Sequence, residues 1–205
     1  MIKLIAMITM LVDHIGAVFF PNALWLRIIG RVSFPLFAWG IAMGSRWTRD
    51  WKRYAARLLA VALVTQIPYS LLFRNGYWNI CFTLLSGLLV LKLLQIPNRM
   101  LGMLGTLNIL ALVHFLEFEY GIYGVLTILV FYYCQEDGKL PLYQGILTLT
   151  GILIYSFHVI QLFSVVSSFI VLDRKKDELR LNKWVQYGFY PIHIILLYIL
   201  KGITA

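Results

Sequence analysis

Charge is what this chain of 205 residues has least of. Asp, Glu, Lys and Arg together make up 13% of it, against 60% apolar residues. A soluble domain is nearer a quarter charged and half apolar, so there is too little polar surface here to cover a water-soluble core. Cysteine is scarce too. Cys81 and Cys134 lie in apolar stretches with no CxxC or metal-ligand spacing, which excludes a disulfide framework and a cysteine-built metal site. They read as core or lipid-facing thiols. There is no long polar segment, no repeat at a fixed period and no low-complexity tract. Residues 1–205 therefore read as one transmembrane domain. Acids are rare as well, nine Asp and Glu against eighteen Lys and Arg, for a net charge of +9. In a soluble protein that balance would point to nucleic acid. No basic–aromatic platform or binding module accompanies it, so nucleic acid is not an expected partner.

What is present is a series of apolar runs, at about 3–20, 24–44, 55–73, 78–96, 100–117, 120–134, 143–172 and 184–201. A bilayer core of about 30 Å takes about 20 helical residues. Breakers such as Pro21-Asn22, Arg74-Asn75-Gly76, Pro97-Asn98 and Asp137-Gly138 separate the runs. The first run carries Asp13 and His14 in its middle and lacks a small-residue cleavage site, which argues against a cleavable signal. The 143–172 run would be about 45 Å as one helix, too long for an ordinary crossing. A turn near Ser156-Phe157-His158 would make it two. Charge favours that reading, because it places both basic loops on one side. The first holds Arg46, Arg49, Lys52, Arg53 and Arg57; the second holds Arg174, Lys175, Lys176, Arg180 and Lys183. With Lys3, Arg99 and Lys139, 13 of the 18 basic residues then face the cytoplasm. The expectation is an all-α polytopic bundle of about nine transmembrane helices, eight being the alternative, with a cytoplasmic N-terminus and an inner-membrane location.

Ionisable groups inside such spans cost about 2.5–3.5 kcal/mol each on insertion scales and are functional candidates by default. Asp13 and His14 fall about 15 Å into the first helix. Arg27 and Arg31, at i and i+4, share a face of the second at similar depth, with Gly30 between them allowing close helix approach. Asp13 paired with Arg27 or Arg31 is the simplest arrangement. His193 reaches the midplane of the last helix, near Tyr187, Tyr190 and the helix-kinking Pro191. Gln66, Asn79 and Thr83 add polar groups in the outer half, and Glu117 and Glu119 sit on an outer connector. His114 and His158 read as packing residues. Acid, base and guanidinium from separate helices at one depth describe a polar chamber, which serves catalysis or transport equally.

The motifs resemble the TraX family. They are Ile5-Ala-Met-Ile-Thr-Met-Leu-Val-Asp-His-Ile-Gly16, Leu26-Arg-Ile-Ile-Gly-Arg-Val-Ser-Phe-Pro-Leu-Phe-Ala38, Arg57-Leu-Leu59 with Gln66-Ile-Pro68, and Asn79-Ile-Cys-Phe-Thr-Leu84 with Gly87. Glu119-Tyr-Gly-Ile-Tyr-Gly-Val-Leu126 and Tyr187-Gly-Phe-Tyr-Pro-Ile-His193 complete the set, in order along nearly the whole chain. Glu119 stands where the family pattern has Asp, and the Asp173–Lys183 loop lacks the Tyr-Asn-Gly approach of the family. The resemblance implies an integral-membrane acyltransferase, related to pilin acetylation in conjugation, that draws on cytosolic acetyl-CoA and serves a peptide or envelope-glycan acceptor across the membrane.

Acyl transfer needs a base or acyl-accepting group and donors for the carbonyl oxygen. His14 is the expected base or acyl acceptor. Asp13 would hold an arginine or the acceptor amine, and Arg27 and Arg31 would stabilise the oxyanion or position the thioester. Tyr190, His193, Gln66, Asn79 and Thr83 would line the chamber. The acetyl-CoA phosphates would meet Arg46, Arg49, Lys52, Arg53 and Arg57. No metal is expected. A proton-coupled transporter, for which inverted repeats are missing, and a non-enzymatic assembly factor are the alternatives. Small-residue faces would serve a homo-oligomer as well as internal packing.

Overall fold

The computed structural model describes residues 1–173 and 182–204. Arg174, Lys175, Lys176 and Arg180 of the second basic loop lie outside the described residues. The described elements are α1 (Ile2–Phe19), α2 (Leu24–Gly30), α3 (Ser33–Trp47), α4 (Trp51–Phe73), α5 (Ile80–Leu93), α6 (Arg99–Phe115), α7 (Gly121–Cys134) and α8 (Leu140–Tyr155). A 3₁₀ segment, Val159–Val165, then leads into α9 (Val166–Leu172), and α10 (Lys183–Thr204) ends the fold. The fold is all-α. Among the described residues the only extended pairing is one bridge between Trp78 and Phe118. Three helical stretches, Ile2–Phe19, Leu24–Trp47 and Trp51–Phe73, are long and apolar enough to cross a membrane.

Local chemistry sets the boundaries. Asp50, Asn79 and Asn98 cap α4, α5 and α6, their side chains accepting from the backbone N–H groups of Arg53, Cys81 and Leu101 at 3.0, 3.0 and 3.2 Å. The long run over 143–172 is two rods, as its length requires. α8 stops at Tyr155, Ser156 takes a φ of 53°, and the His158 side chain accepts from the N–H of Ile160 to start the 3₁₀ segment. The run over 24–44, expected as a single helix, is instead broken between Gly30 and Ser33. Pro35 supplies no N–H for the carbonyl of Arg31, so the helix is interrupted where that carbonyl would need its partner.

The rods alternate in direction, which gives the bundle two ends. At the basal end, where the chain begins, Lys3 donates to Gln186 of α10 at 2.7 Å and Lys92 donates to the Ser45 carbonyl at 3.0 Å. At the distal end Lys201 donates to the Leu72 carbonyl at 3.2 Å. α3 is the central element, with Phe34, Leu36, Ala38, Trp39, Ile41 and Ala42 all buried against α1, α5 and α7. The outward faces are apolar instead of charged: Leu63, Val64 and Ile67 of α4, Met100, Met103 and Leu107 of α6, and Ile192, Ile199 and Ile203 of α10 are exposed. Such surfaces suit lipid, in which helices associate through close packing and small residues, not by escaping water.

Close approach is most demanding between α1 and α2. A Cβ placed on Gly30 would lie 2.0 Å from Asp13 Oδ1 and 2.2 Å from Asp13 Cβ. Asp13 has no room to retreat, because both its oxygens are engaged by arginines. Gly30→Ala is therefore expected to destabilise the detergent-solubilised protein by about 1–3 kcal/mol, the usual cost of overpacking. Thermal unfolding measures this, and an unchanged midpoint would contradict the contact.

Candidate functional site

Two chambers enter the bundle from opposite ends and meet. The basal chamber, about 600 Å³, is walled by Lys3, Met10, Phe37, Trp47, Tyr54, Arg57, Tyr187 and Tyr190, among others. The distal chamber, about 500 Å³, is walled by Arg27, Arg31, Tyr69, Asn75, Tyr77, His114, Glu117, Phe157, His158 and Gln161, among others. Four residues line both: Asp13, His14, Glu119 and Tyr120. The expected polar chamber is thus a junction.

One wall of the junction is an ion cluster. Arg27 Nη1 lies 2.8 Å from Asp13 Oδ2, and Arg31 Nη2 lies 2.9 Å from Oδ1. Arg27 Nη1 also donates to the Asp13 carbonyl at 2.8 Å, and Arg31 Nε donates to the Arg27 carbonyl at 3.1 Å. Asp13 is therefore held by both arginines, not one of them. The helix break after Gly30 leaves Arg31 reaching back to α1 and across to the 3₁₀ segment, where its Nη1 donates to Gln161 Oε1 at 3.2 Å.

His14 is buried and faces away from this cluster, one residue around α1. Its Nδ1 lies 2.8 Å from Nε2 of His193, and the His193 Nδ1 lies 2.7 Å from the Phe189 carbonyl oxygen. A carbonyl only accepts, so His193 Nδ1 carries a proton and, in the neutral ring, Nε2 is the acceptor. His14 Nδ1 must then donate, which leaves its Nε2 with a lone pair. His193 lines neither chamber; it sits behind His14 and sets its tautomer. Beside this pair, the buried Tyr190 hydroxyl has no hydrogen-bond partner, although the residue lines the basal chamber.

Other expected residues separate by place. Gln66, Asn79 and Thr83 line neither chamber. Asn79 caps α5 and donates to the Ala62 carbonyl at 2.8 Å and to Gln66 Oε1 at 2.9 Å, fastening α4 to α5. Thr83 donates to the Glu119 carbonyl at 2.5 Å. Of the first basic loop only Arg57 lines the basal chamber, with its guanidinium 5.5 Å from the Tyr187 ring centroid. Arg53 pairs with Asp50 at 2.9 Å, Arg46 stacks 4.5 Å from the Tyr132 ring and bonds the Tyr132 carbonyl, and Arg49 and Lys52 are exposed at the basal end. Cys81 is a buried free thiol and Cys134 a half-buried one. Among the described residues no three His, Cys, Asp or Glu side chains gather as metal ligands.

Glu119 is the residue that sequence reasoning left at the rim. The 116–120 connector instead folds into the bundle. The Trp78 N–H donates to the Glu117 carbonyl at 3.3 Å and the Glu119 N–H to the Trp78 carbonyl at 2.9 Å. Glu117 and Tyr120 bend the chain inward with φ of 52° and 62°, a backbone region that costs non-glycine residues energy and is frequent at functional sites. The Tyr69 hydroxyl and the Ile80 N–H lie near the Glu119 carboxylate. Burial pushes its pKa up to about 7. Gln161 was missed as well, being a lone amide in an apolar run.

Comparison with known proteins agrees with this arrangement of motifs. No solved structure matches the chain. The chain is 27% identical, over 96% of its own length and 92% of the relative's, to a protein of Dichelobacter nodosus described as a probable fimbrial assembly protein FimC, serogroup H1. The family model described as TraX protein matches residues 1–201, and the chain belongs to the TraX family.

Proposed function

We propose that this protein is an inner-membrane acyltransferase that passes an acetyl group from cytosolic acetyl-CoA to an amine or hydroxyl acceptor on the other side. The observation that carries the reading is the meeting of two chambers at one histidine. In the corresponding topology the rods make nine crossings, the basal end faces the cytoplasm, and the distal end faces away. The basic residues of the basal end then obey the charge bias of cytoplasmic loops.

The basal chamber suits the acyl donor. Lys3 and Arg57 stand on its wall as counter-charges for phosphates, with Arg49 and Lys52 exposed nearby. Its lining is otherwise largely apolar and aromatic, as an extended thioester arm requires. At its inner limit the unpartnered Tyr190 hydroxyl is a donor for the thioester carbonyl oxygen, and it stands beside the histidine pair. His14 Nε2, unprotonated by the logic of its neighbours, takes a proton, or takes the acyl group as the thioester C–S bond breaks and CoA thiolate leaves through the basal chamber. When His14 Nε2 bonds carbon or a proton, the ring gains positive charge, and the Nδ1 proton can pass to His193 Nε2 across 2.8 Å. Arg27 and Arg31 fix Asp13 and keep the junction positive where the oxyanion develops. The acceptor, a peptide or envelope glycan, approaches through the distal chamber. The fimbrial description of the relative is compatible with a pilin-like acceptor.

Two outcomes test this. With labelled acetyl-CoA, His14→Ala should lower acyl transfer by about 10²–10⁴-fold while the protein stays folded, and His193→Ala should lower kcat by less. Unchanged transfer in His14→Ala would remove His14 from the mechanism. Acetyl-CoA at about 100 times its Kd should also stabilise the folded protein by about 2.7 kcal/mol, and Arg57→Ala should reduce that shift. A transporter or a scaffold would give no shift at all.

A further inference from the structure

Three carboxylates line the distal chamber near the junction, and their situations differ. Asp13 has each oxygen on an arginine, at 2.8 and 2.9 Å, so both its oxygens are already engaged. Glu117 lies exposed toward the chamber mouth. Glu119 alone of the three lines both chambers without an ion pair among the described residues, and it is half-buried there. Near its carboxylate stand the Tyr69 hydroxyl and the Ile80 N–H at the capped start of α5. Tyr69 in turn accepts from Asn75 Nδ2 at 3.1 Å, and both Tyr69 and Asn75 line the distal chamber. A row of polar groups, Tyr69 and then Asn75, therefore leads from Glu119 toward the distal end. The strained connector that turns Glu119 inward is held by Trp78 and Thr83, so the carboxylate is placed by the fold, not left to a loop.

Resting on the acyl-transfer reading, we propose that Glu119 is the proton acceptor for the attacking acceptor group, leaving His14 to hold the acetyl group. In this step the acceptor nitrogen or oxygen forms a bond to the acetyl carbonyl carbon. The bond from that carbon to His14 Nε2 breaks, and its electron pair returns to the imidazole. The proton released from the acceptor N–H or O–H goes to a Glu119 carboxylate oxygen and leaves along the Tyr69–Asn75 side. The junction thereby splits the labour between a histidine and a carboxylate that both face the two chambers. Burial, which raises the carboxyl toward neutrality, makes the group a competent base near physiological pH.

The test uses the full-length protein in nanodiscs with acetyl-CoA and two acceptors of known chemistry. Water needs a base to attack. Hydroxylamine, a strong nucleophile that is largely unprotonated at pH 7, does not. Glu119→Gln should lower CoA release with water about 10²–10⁴-fold. With hydroxylamine it should stay within about threefold of wild type, because no proton need be taken during attack. Glu119→Asp, one methylene shorter, should recover part of the water rate, and His14→Ala should lose both. Equal losses with water and hydroxylamine in both Glu119 variants would assign Glu119 a structural role and overturn the proposal, as would no loss in either. A wild type that releases no CoA with either acceptor removes the acyl-transfer reading itself and the proposal with it, an outcome distinct from any pattern confined to the Glu119 variants.

Discussion

The Asp13–Arg27–Arg31 cluster is the interaction on which the rest of the site depends. Two guanidinium groups and one carboxylate lie within 3 Å contacts in the middle of an apolar bundle. Removing one partner of such a half-buried set is costly, because it strands an unpaired charge in a poorly solvated site. That constraint explains the local architecture. α1 and α2 must approach closely enough for the ion pairs, so Gly30 has no side chain. The helix after it must break, so that Arg31 can turn back to Asp13 and sideways to Gln161.

The cluster and the histidine pair divide α1 into two working faces. Asp13 points to arginines that it holds fixed. His14 points to His193, whose other nitrogen is committed to the Phe189 carbonyl. A chain of hydrogen bonds with only one consistent direction leaves His14 Nε2 as a base, without requiring a carboxylate in contact with it. This agrees with the helix geometry, in which consecutive residues lie about 100° apart. His14 lines both chambers, one from each end of the bundle.

Much of this was legible in the sequence, and the limits are physical. Apolar runs with charged interruptions gave the all-helical fold, and excess length in the 143–172 run gave the turn at Ser156. The i,i+4 spacing of Arg27 and Arg31 put both on one face, and depth counting put Asp13, His14 and His193 together. Depth does not report direction, however. Asn79, Gln66 and Thr83 share the expected region but turn toward helix caps and backbone carbonyls, away from the chambers. The helix break after Gly30 needed the tertiary position of Arg31. Glu119 was placed at the rim because a connector is expected at a membrane surface. Only its bridge to Trp78 and two left-handed backbone turns fold it inward. Charge composition likewise cannot separate Arg57, on the chamber wall, from Arg46 and Arg53, which are tied to their own neighbours.

The central claim is that an acetyl group enters from one end of the bundle and leaves from the other. Reconstitution in sealed proteoliposomes of uniform orientation tests it directly, with labelled acetyl-CoA confined to the side of the basal end and hydroxylamine supplied on the distal side. Labelled acetylhydroxamate should collect in the distal compartment and CoA should remain in the basal one. Product formed only in the basal compartment, or transfer that proceeds equally when acetyl-CoA is supplied from the distal side, would contradict the account.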